Sequence, residues 1–195
     1  DMVRRSVGVC DVSTLGKIDI QGPDAHKFLD FVYTNMFSTL KIGKVRYGLM
    51  LREDGHVMDD GTTARLAENH YVMTTTTAAA GQVMRHLDFV HQCLHPEWDV
   101  SFISVTEQWA QFSIAGPKSQ KLVNAVLDKP ITSETFPFMS CASVGVLGEA
   151  GRLFRISFSG EHGYEIAVPS RYGESLFRLL VSRAEEIGGG PYGME

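Results

Sequence analysis

The chain is short of cysteine, of continuous apolar stretches and of clustered positive charge, and each shortage closes off a class of protein. Three cysteines occur in 195 residues. Cys10, Cys93 and Cys141 are odd in number, widely spaced and form no CxxC pair, which fits buried thiols in a reducing cytoplasm rather than a disulfide framework. No apolar run approaches the roughly 18 residues of a membrane span. The N-terminus, DMVRRSVGVCDV, carries no long apolar h-region, so no signal peptide is expected. Lys and Arg number 18 against 23 Asp and Glu, a formal net charge of −5. With no basic run besides, nucleic acid is not an expected partner, and neither is a membrane.

Motifs for common cofactors are missing too. No GxGxxG opens a helix after a predicted strand and no GxxxxGK[ST] exists, so neither a dinucleotide nor a nucleoside triphosphate cradle is encoded. No G-x-S-x-G elbow occurs. His91, Cys93 and His95 are closely spaced, but they sit at the end of a helix-like stretch that Pro96 stops, where His suits the helix C-terminus. No metal site is expected there.

What is present is ordinary globular composition, 44% hydrophobic and 21% charged, with a distinctive order of signals. Asp54-Gly55 marks a tight hairpin turn, because both residues tolerate positive φ. Tyr47, Leu49 and Leu51 alternate before it, and Val57 and Met58 follow. An internal echo appears in IDIQGPDAHKFL (18–29) and FSIAGPKSQKLV (112–123). Each reads as a strand, a Gly-Pro turn and a short helix, with Pro tolerated in the first turn. The copies lie about half the chain apart, which suggests two related halves. Between them a strand is expected around His70–Thr74 and a helix from about Ala78 to Gln92, with Val83, Leu87 and Val90 on one face. Later, 129–139 reads as loop, two strands surround Gly148–Gly151, and a strand covers Tyr164–Val168. A helix runs from about Tyr172 to Glu186 with Leu176, Leu179 and Leu180 inward. The final GGGPYGME reads as a loop with no finished element, so the natural chain is expected to continue. Hairpin signals dominate and helices are few. This predicts an α+β fold with antiparallel sheets and a few flanking helices.

Two places carry candidate chemistry. Aspartate is depleted in strands, yet Asp59 and Asp60 follow the hairpin turn beside apolar residues. One can be a base or cation-stabilising carboxylate; the plainer alternative is a second turn at Asp60-Gly61, with Asp60 bonded to its own backbone. Glu165 sits within a strand between Tyr164 and Ile166, where a carboxylate can accept two parallel N–H bonds from an amino-pyrimidinone edge. The plainer alternative is an exposed strand Glu. Tyr47, Phe158 and Tyr164 can stack on a ring, although each alone is more often core. The run Thr74–Thr77 offers hydroxyls to a ligand, or simply a strand end passing into a helix cap.

Taken in order, CDVSTLGKIDIQGPDA, KVRYGLMLREDGHVMDDGTTARL, AGPKSQ and SFSGEHGYEI resemble the folate-binding domain of the glycine-cleavage T-protein family, from about Val7 to the last residue. Within the family, STLG, RYGLMLREDG, SFSGE and the terminal GGGPYGME look most like the branch found in the α subunit of heterotetrameric sarcosine oxidases. The resemblance implies a single aminomethyltransferase-type folate-binding domain over 1–195. It would be a fragment of a longer subunit, without the C-terminal β-domain and the dinucleotide-binding part. It implies a tetrahydrofolate site lined by Leu15, Tyr47, Asp59, Thr75, Phe158 and Glu165. Asp59 would act on the folate amine, Asp60 would stay structural in the turn into Gly61, and Glu165 would grip the pteridine. Leu15 stands where relatives usually have Met, Thr75 where they often have Asn, and Phe158 where they have Tyr. Flavin and NAD would belong to other parts of the complex, and the partners would be the other subunits of such an oxidase. Alternatives are an aminomethyltransferase of glycine cleavage, a dimethylglycine dehydrogenase module, a non-catalytic folate-binding regulator, or a structural module that leaves both strand carboxylates unexplained. A base near the folate amine should keep a pKa close to that of a polar-site acid, because a passing cation favours the ionised form.

Overall fold

The computed structural model describes residues 1–193. The chain divides into two compact units: residues 14–106, and residues 1–13 together with the chain from Glu107 onward. The first strand therefore belongs with the second half of the sequence.

The unit spanning 14–106 is built on five antiparallel strands. They are β2 (Gly16–Gln21), β3 (Lys44–Leu51), β4 (Val57–Ala67), β5 (His70–Thr75) and β6 (Ser101–Ser104), in the order β3-β4-β5-β2-β6. The β3–β4 hairpin turns where Asp54-Gly55 predicts it, with Gly55 at φ 81°. The Asp54 carboxylate accepts the His56 N–H at 3.1 Å and closes the loop. Helix α2 (Ala25–Val32) buries Ala25, Phe28, Leu29 and Val32, the i, i+3, i+4, i+7 stripe of an amphipathic helix. Helix α3 (Ala80–Phe89) buries Val83 and Leu87 and passes into a wider π turn over Val90–Leu94. Phe28 anchors this core, stacked on Phe102 with ring centroids 5.4 Å apart and edge-on to Trp98 at 6.4 Å.

The other unit carries six strands: β1 (Gly8–Asp11), β7 (Trp109–Ala115), β8 (Cys141–Val146), β9 (Glu149–Phe154), β10 (Gly163–Pro169) and β11 (Gly190–Pro191). Their order is β11-β1-β7-β10-β9-β8. Helices α1 (Met2–Arg5), α4 (Ser119–Asn124) and α5 (Gly173–Glu185) accompany them. Helix α5 buries Leu176, Leu180 and Ala184, while Leu179 is half-buried. The C-terminal segment departs from the loop expected for it, because Gly190–Pro191 pairs in parallel with Gly8 and Val9. Glycine makes this possible: a Cβ at Gly189 would stand 2.1 Å from the Val7 carbonyl oxygen. Met194 and Glu195 of the same expected loop lie outside the described residues.

The internal echo is a repeated structural device. Gly22 and Gly116 sit at φ 139° and 130°, a region that L side chains rarely enter. A Cβ would come within 2.3 Å of the Asp99 carbonyl oxygen at Gly22 and 2.5 Å of the Ser6 carbonyl oxygen at Gly116. In both copies the residue three later donates its N–H back to the glycine carbonyl, Ala25 at 3.1 Å and Ser119 at 3.0 Å. Pro23 and Pro117 thus occupy this preceding turn, one step earlier than the first helical turn expected of them.

Of the three thiols expected to be buried, Cys10 and Cys141 are, whereas Cys93 is exposed on the π turn. His91 and His95 both engage Trp98: the His91 Nε2 lies 3.1 Å from its carbonyl oxygen, and the His95 ring stacks on its indole at 3.7 Å. Among the described residues, no helix is long and apolar enough to cross a membrane.

Candidate functional site

The Asp59–Asp60 pair is divided by the pleat of β4. Asp59 lies opposite Met50, a buried residue, while Asp60 lies opposite Leu49. Successive side chains of a strand point to opposite faces, so the two carboxylates do not form a dyad. A register shift between Met50 and Leu51 places a bulge just before this pair. Bulges of this kind re-aim a side chain, and Asp59 beside it is only 6% exposed.

Thr76 holds Asp59. Its hydroxyl donates to Oδ1 at 2.8 Å, and its backbone N–H points at both oxygens at 3.4 and 3.3 Å. Burial nevertheless pushes the carboxyl above its ordinary pKa, and the bonds from Thr76 and the Asp60 backbone offset part of the rise. The direction differs from the near-ordinary value expected from sequence. A site that disfavours an isolated anion in this way is suited to a group that takes up a proton or meets a cation.

Asp60 does not cap a turn. The strand runs straight through Asp60-Gly61 as far as Ala67, and Asp60 accepts the Tyr47 phenol proton at 2.7 Å. Gly61 serves close approach rather than turning, since a Cβ there would meet the Thr74 carbonyl oxygen at 2.0 Å. Its cross-strand partner is Gly48, where a Cβ would lie 2.9 Å from the Tyr33 ring. Gly48 thus lets the Tyr33 ring lie close against the sheet, while Gly61, two residues along the strand from Asp59, admits the Thr74 carbonyl.

The threonine run has four different duties and no helix cap. The residue capping α3 is Ala79. Thr74 bonds the Thr62 hydroxyl at 2.9 Å, Thr75 donates to the Thr76 carbonyl at 2.9 Å, and Thr77 donates to the Thr14 hydroxyl at 3.3 Å. Thr75 is buried and packs over Gly16, where a Cβ would stand 2.1 Å from its hydroxyl oxygen. Of this run, only Thr76 has a bond to Asp59, and sequence reasoning missed it. Leu15 is half-buried beside Gly16, and its carbonyl oxygen accepts from the Lys17 ammonium at 3.1 Å.

In the other unit, Glu165 stands on β10 between β7 and β9, opposite Ser113 on one side and Phe154 on the other. It is 7% exposed, which rules out the exposed strand Glu. A buried carboxylate needs donors, and the Gln111 side-chain amide supplies one to Oε2. Tyr164 points to the other face and is fully buried, its phenol 3.1 Å from His162 Nε2. The three rings considered for stacking therefore part company. Tyr164 is core, whereas Tyr47 is 50% exposed and Phe158 is 86% exposed in the loop before β10.

The GCVT N-terminal domain family matches the chain over residues 1–195. The sarcosine oxidase α subunit of Rhizobium meliloti is 53% identical over 195 residues, covering 99% of this chain and 20% of that protein. The chain thus spans about a fifth of the length of such relatives. The aminomethyltransferase of Thermus thermophilus is 32% identical over 98% of this chain and 52% of its own length. Among solved structures, the glycine cleavage aminomethyltransferase T of Bartonella henselae superposes with a TM-score of 0.83 at 22% identity, over 98% of this chain and 49% of that one. That likeness shows the fold.

Proposed function

Because the chain belongs to the GCVT N-terminal domain family, we propose that it is the tetrahydrofolate-binding part of a sarcosine oxidase α subunit. Its task is to capture the carbon released by oxidative demethylation of sarcosine as 5,10-methylenetetrahydrofolate. The 53% identity to a sarcosine oxidase α subunit, against 32% to an aminomethyltransferase, favours this reading over glycine cleavage.

The observation that carries it is the environment of Asp59: a carboxylate buried on a strand, with one side-chain donor and a raised pKa. Tetrahydrofolate, when bound, supplies the nitrogen that takes up the one-carbon unit. Asp59 accepts the proton lost from that nitrogen and offsets the passing positive charge, a contribution typically of about 10²–10⁴-fold. Thr76 fixes the carboxylate for this task. Glu165 fits the folate ring chemically, because a carboxylate accepts paired N–H bonds in the plane of an amino-pyrimidinone. Holding the ring removes orientational freedom before reaction. Leu15, Tyr47, Thr75 and Phe158 are proposed as further lining. Flavin and NAD belong to other parts of the enzyme, and the partners are its other subunits in the cytoplasm.

Titrating tetrahydrofolate into the wild type and Glu165→Ala tests the reading. Affinity is expected to drop at least tenfold in the variant; unchanged binding removes Glu165 from the site. The isolated chain is expected to bind folate, even weakly, and not to oxidise sarcosine. Oxidation without the remaining parts contradicts its assignment as the folate portion alone.

A further inference from the structure

Gln111 is an unusual residue for its place. It stands on β7, between Ala110 and Phe112 of the buried core, and is only 2% exposed. Burying a primary amide is costly unless its donors and acceptor are used. The side chain spends its N–H on Glu165 Oε2, and its backbone is fastened with equal care. Its N–H donates to the Ser13 hydroxyl at 3.0 Å, and its carbonyl accepts from the Val12 N–H at 2.9 Å and the Ser13 hydroxyl at 3.3 Å. Gln111 pairs with Ala167 and Ser113 pairs with Glu165, so the amide reaches Glu165 diagonally across the sheet. Diagonal neighbours of this kind lie within reach of long side chains. The fixed backbone and the burial restrict the Gln111 side chain, whose amide meets Glu165 Oε2.

We propose that Gln111 is a positioning residue for folate recognition: it fixes the plane of the Glu165 carboxylate and thereby sets the direction in which that group accepts N–H donors. This rests on the assignment of Glu165 to the pteridine. Carboxylate recognition of a planar two-donor edge requires both oxygens in the plane of the ligand. A carboxylate turned out of that plane would lose that alignment and, with it, part of the charge-assisted bond energy. Ser13 acts one step further back, by holding the Gln111 backbone.

The test measures tetrahydrofolate affinity and turnover to 5,10-methylenetetrahydrofolate in the complete protein, for Gln111→Met, Glu165→Gln and the double variant. Gln111→Met keeps length and volume and removes the donor. It is expected to weaken tetrahydrofolate binding about tenfold, a larger effect than any on turnover at saturating folate. The double variant should bind no more weakly than Glu165→Gln alone, because the two residues act as one unit. Additive losses, or unchanged affinity in Gln111→Met while Glu165→Gln weakens binding, overturn the positioning role. Unchanged affinity in Glu165→Gln instead overturns the underlying assignment of Glu165. If Gln111→Met fails to accumulate, Gln111→Glu serves in its place, since it keeps size and polarity but sets a like charge against Glu165. Its affinity is expected to fall below that of the wild type, and wild-type affinity overturns the proposal.

Discussion

Asp59 combines a destabilising burial with the chemistry proposed for it. A carboxyl whose pKa is raised by folding is more easily ionised in the unfolded chain. Its ionisation costs the fold stability, and that cost is absent below the unfolded pKa near 3.9 and fully present above the folded pKa. Asp59→Asn removes the charge and keeps an acceptor for Thr76. The variant is expected to melt at the same temperature as the wild type or higher at pH 7, and the gap should close as pH falls through the acid range. A melting temperature several degrees lower at pH 7 contradicts the burial argument. Thr76→Val deletes the hydroxyl donor to the ionised form, so the Asp59 pKa should rise further. The acid limb of the pH profile for methylene transfer then moves to higher pH, and Thr76→Ser restores it. The Asp60 side chain accepts from the half-exposed Tyr47 phenol, so Tyr47→Phe should cost under about 1 kcal/mol in unfolding experiments. The Asp59–Asp60 pair drew notice in sequence because strands avoid aspartate, but choosing Asp59 within it rested on the family resemblance. Thr76 was not legible, because four identical threonines differ only in register.

At the level of elements, the Gly-Pro echo makes a paired prediction. Gly22→Ala and Gly116→Ala each force a Cβ into a disfavoured φ and against a backbone carbonyl oxygen. Each should destabilise its unit by at least about 2 kcal/mol, read from denaturant midpoints with unchanged slope. A loss under about 0.5 kcal/mol at either site would contradict the shared geometry. The echo, the hairpin and the amphipathic helices were readable because local chemistry dictates them: turn residues with positive φ and apolar spacings of three and four. The Asp60-Gly61 turn was misread because Asp-Gly says only that Cβ is unwelcome at the glycine. It does not say whether a turn or, as here, the Thr74 carbonyl is the reason. The strand at Gly190–Pro191 was invisible for a related cause. Two residues carry no periodicity, and only pairing with Gly8 and Val9 defines them.

For the whole molecule, the order of motifs along the chain pointed to the family, to the α+β class and to the two related halves. The division of the chain was less accessible. Residues 1–13 fold with the second half because β1 pairs with β7, about a hundred positions away, and nothing local announces such a partner. Burial was likewise a non-local outcome: Glu165 and Phe158 look equally ambiguous in sequence, yet one is 7% and the other 86% exposed. One-carbon capture on tetrahydrofolate with Asp59 as the proton acceptor is the role proposed for this chain. It is tested most directly by Asp59→Asn in the complete enzyme, following sarcosine turnover, tetrahydrofolate affinity and 5,10-methylenetetrahydrofolate yield together. Sarcosine oxidation and folate affinity are expected to stay close to the wild type, with the rate of methylene capture reduced by about 10²–10⁴-fold and the released carbon appearing as formaldehyde. An undiminished yield of 5,10-methylenetetrahydrofolate would contradict it.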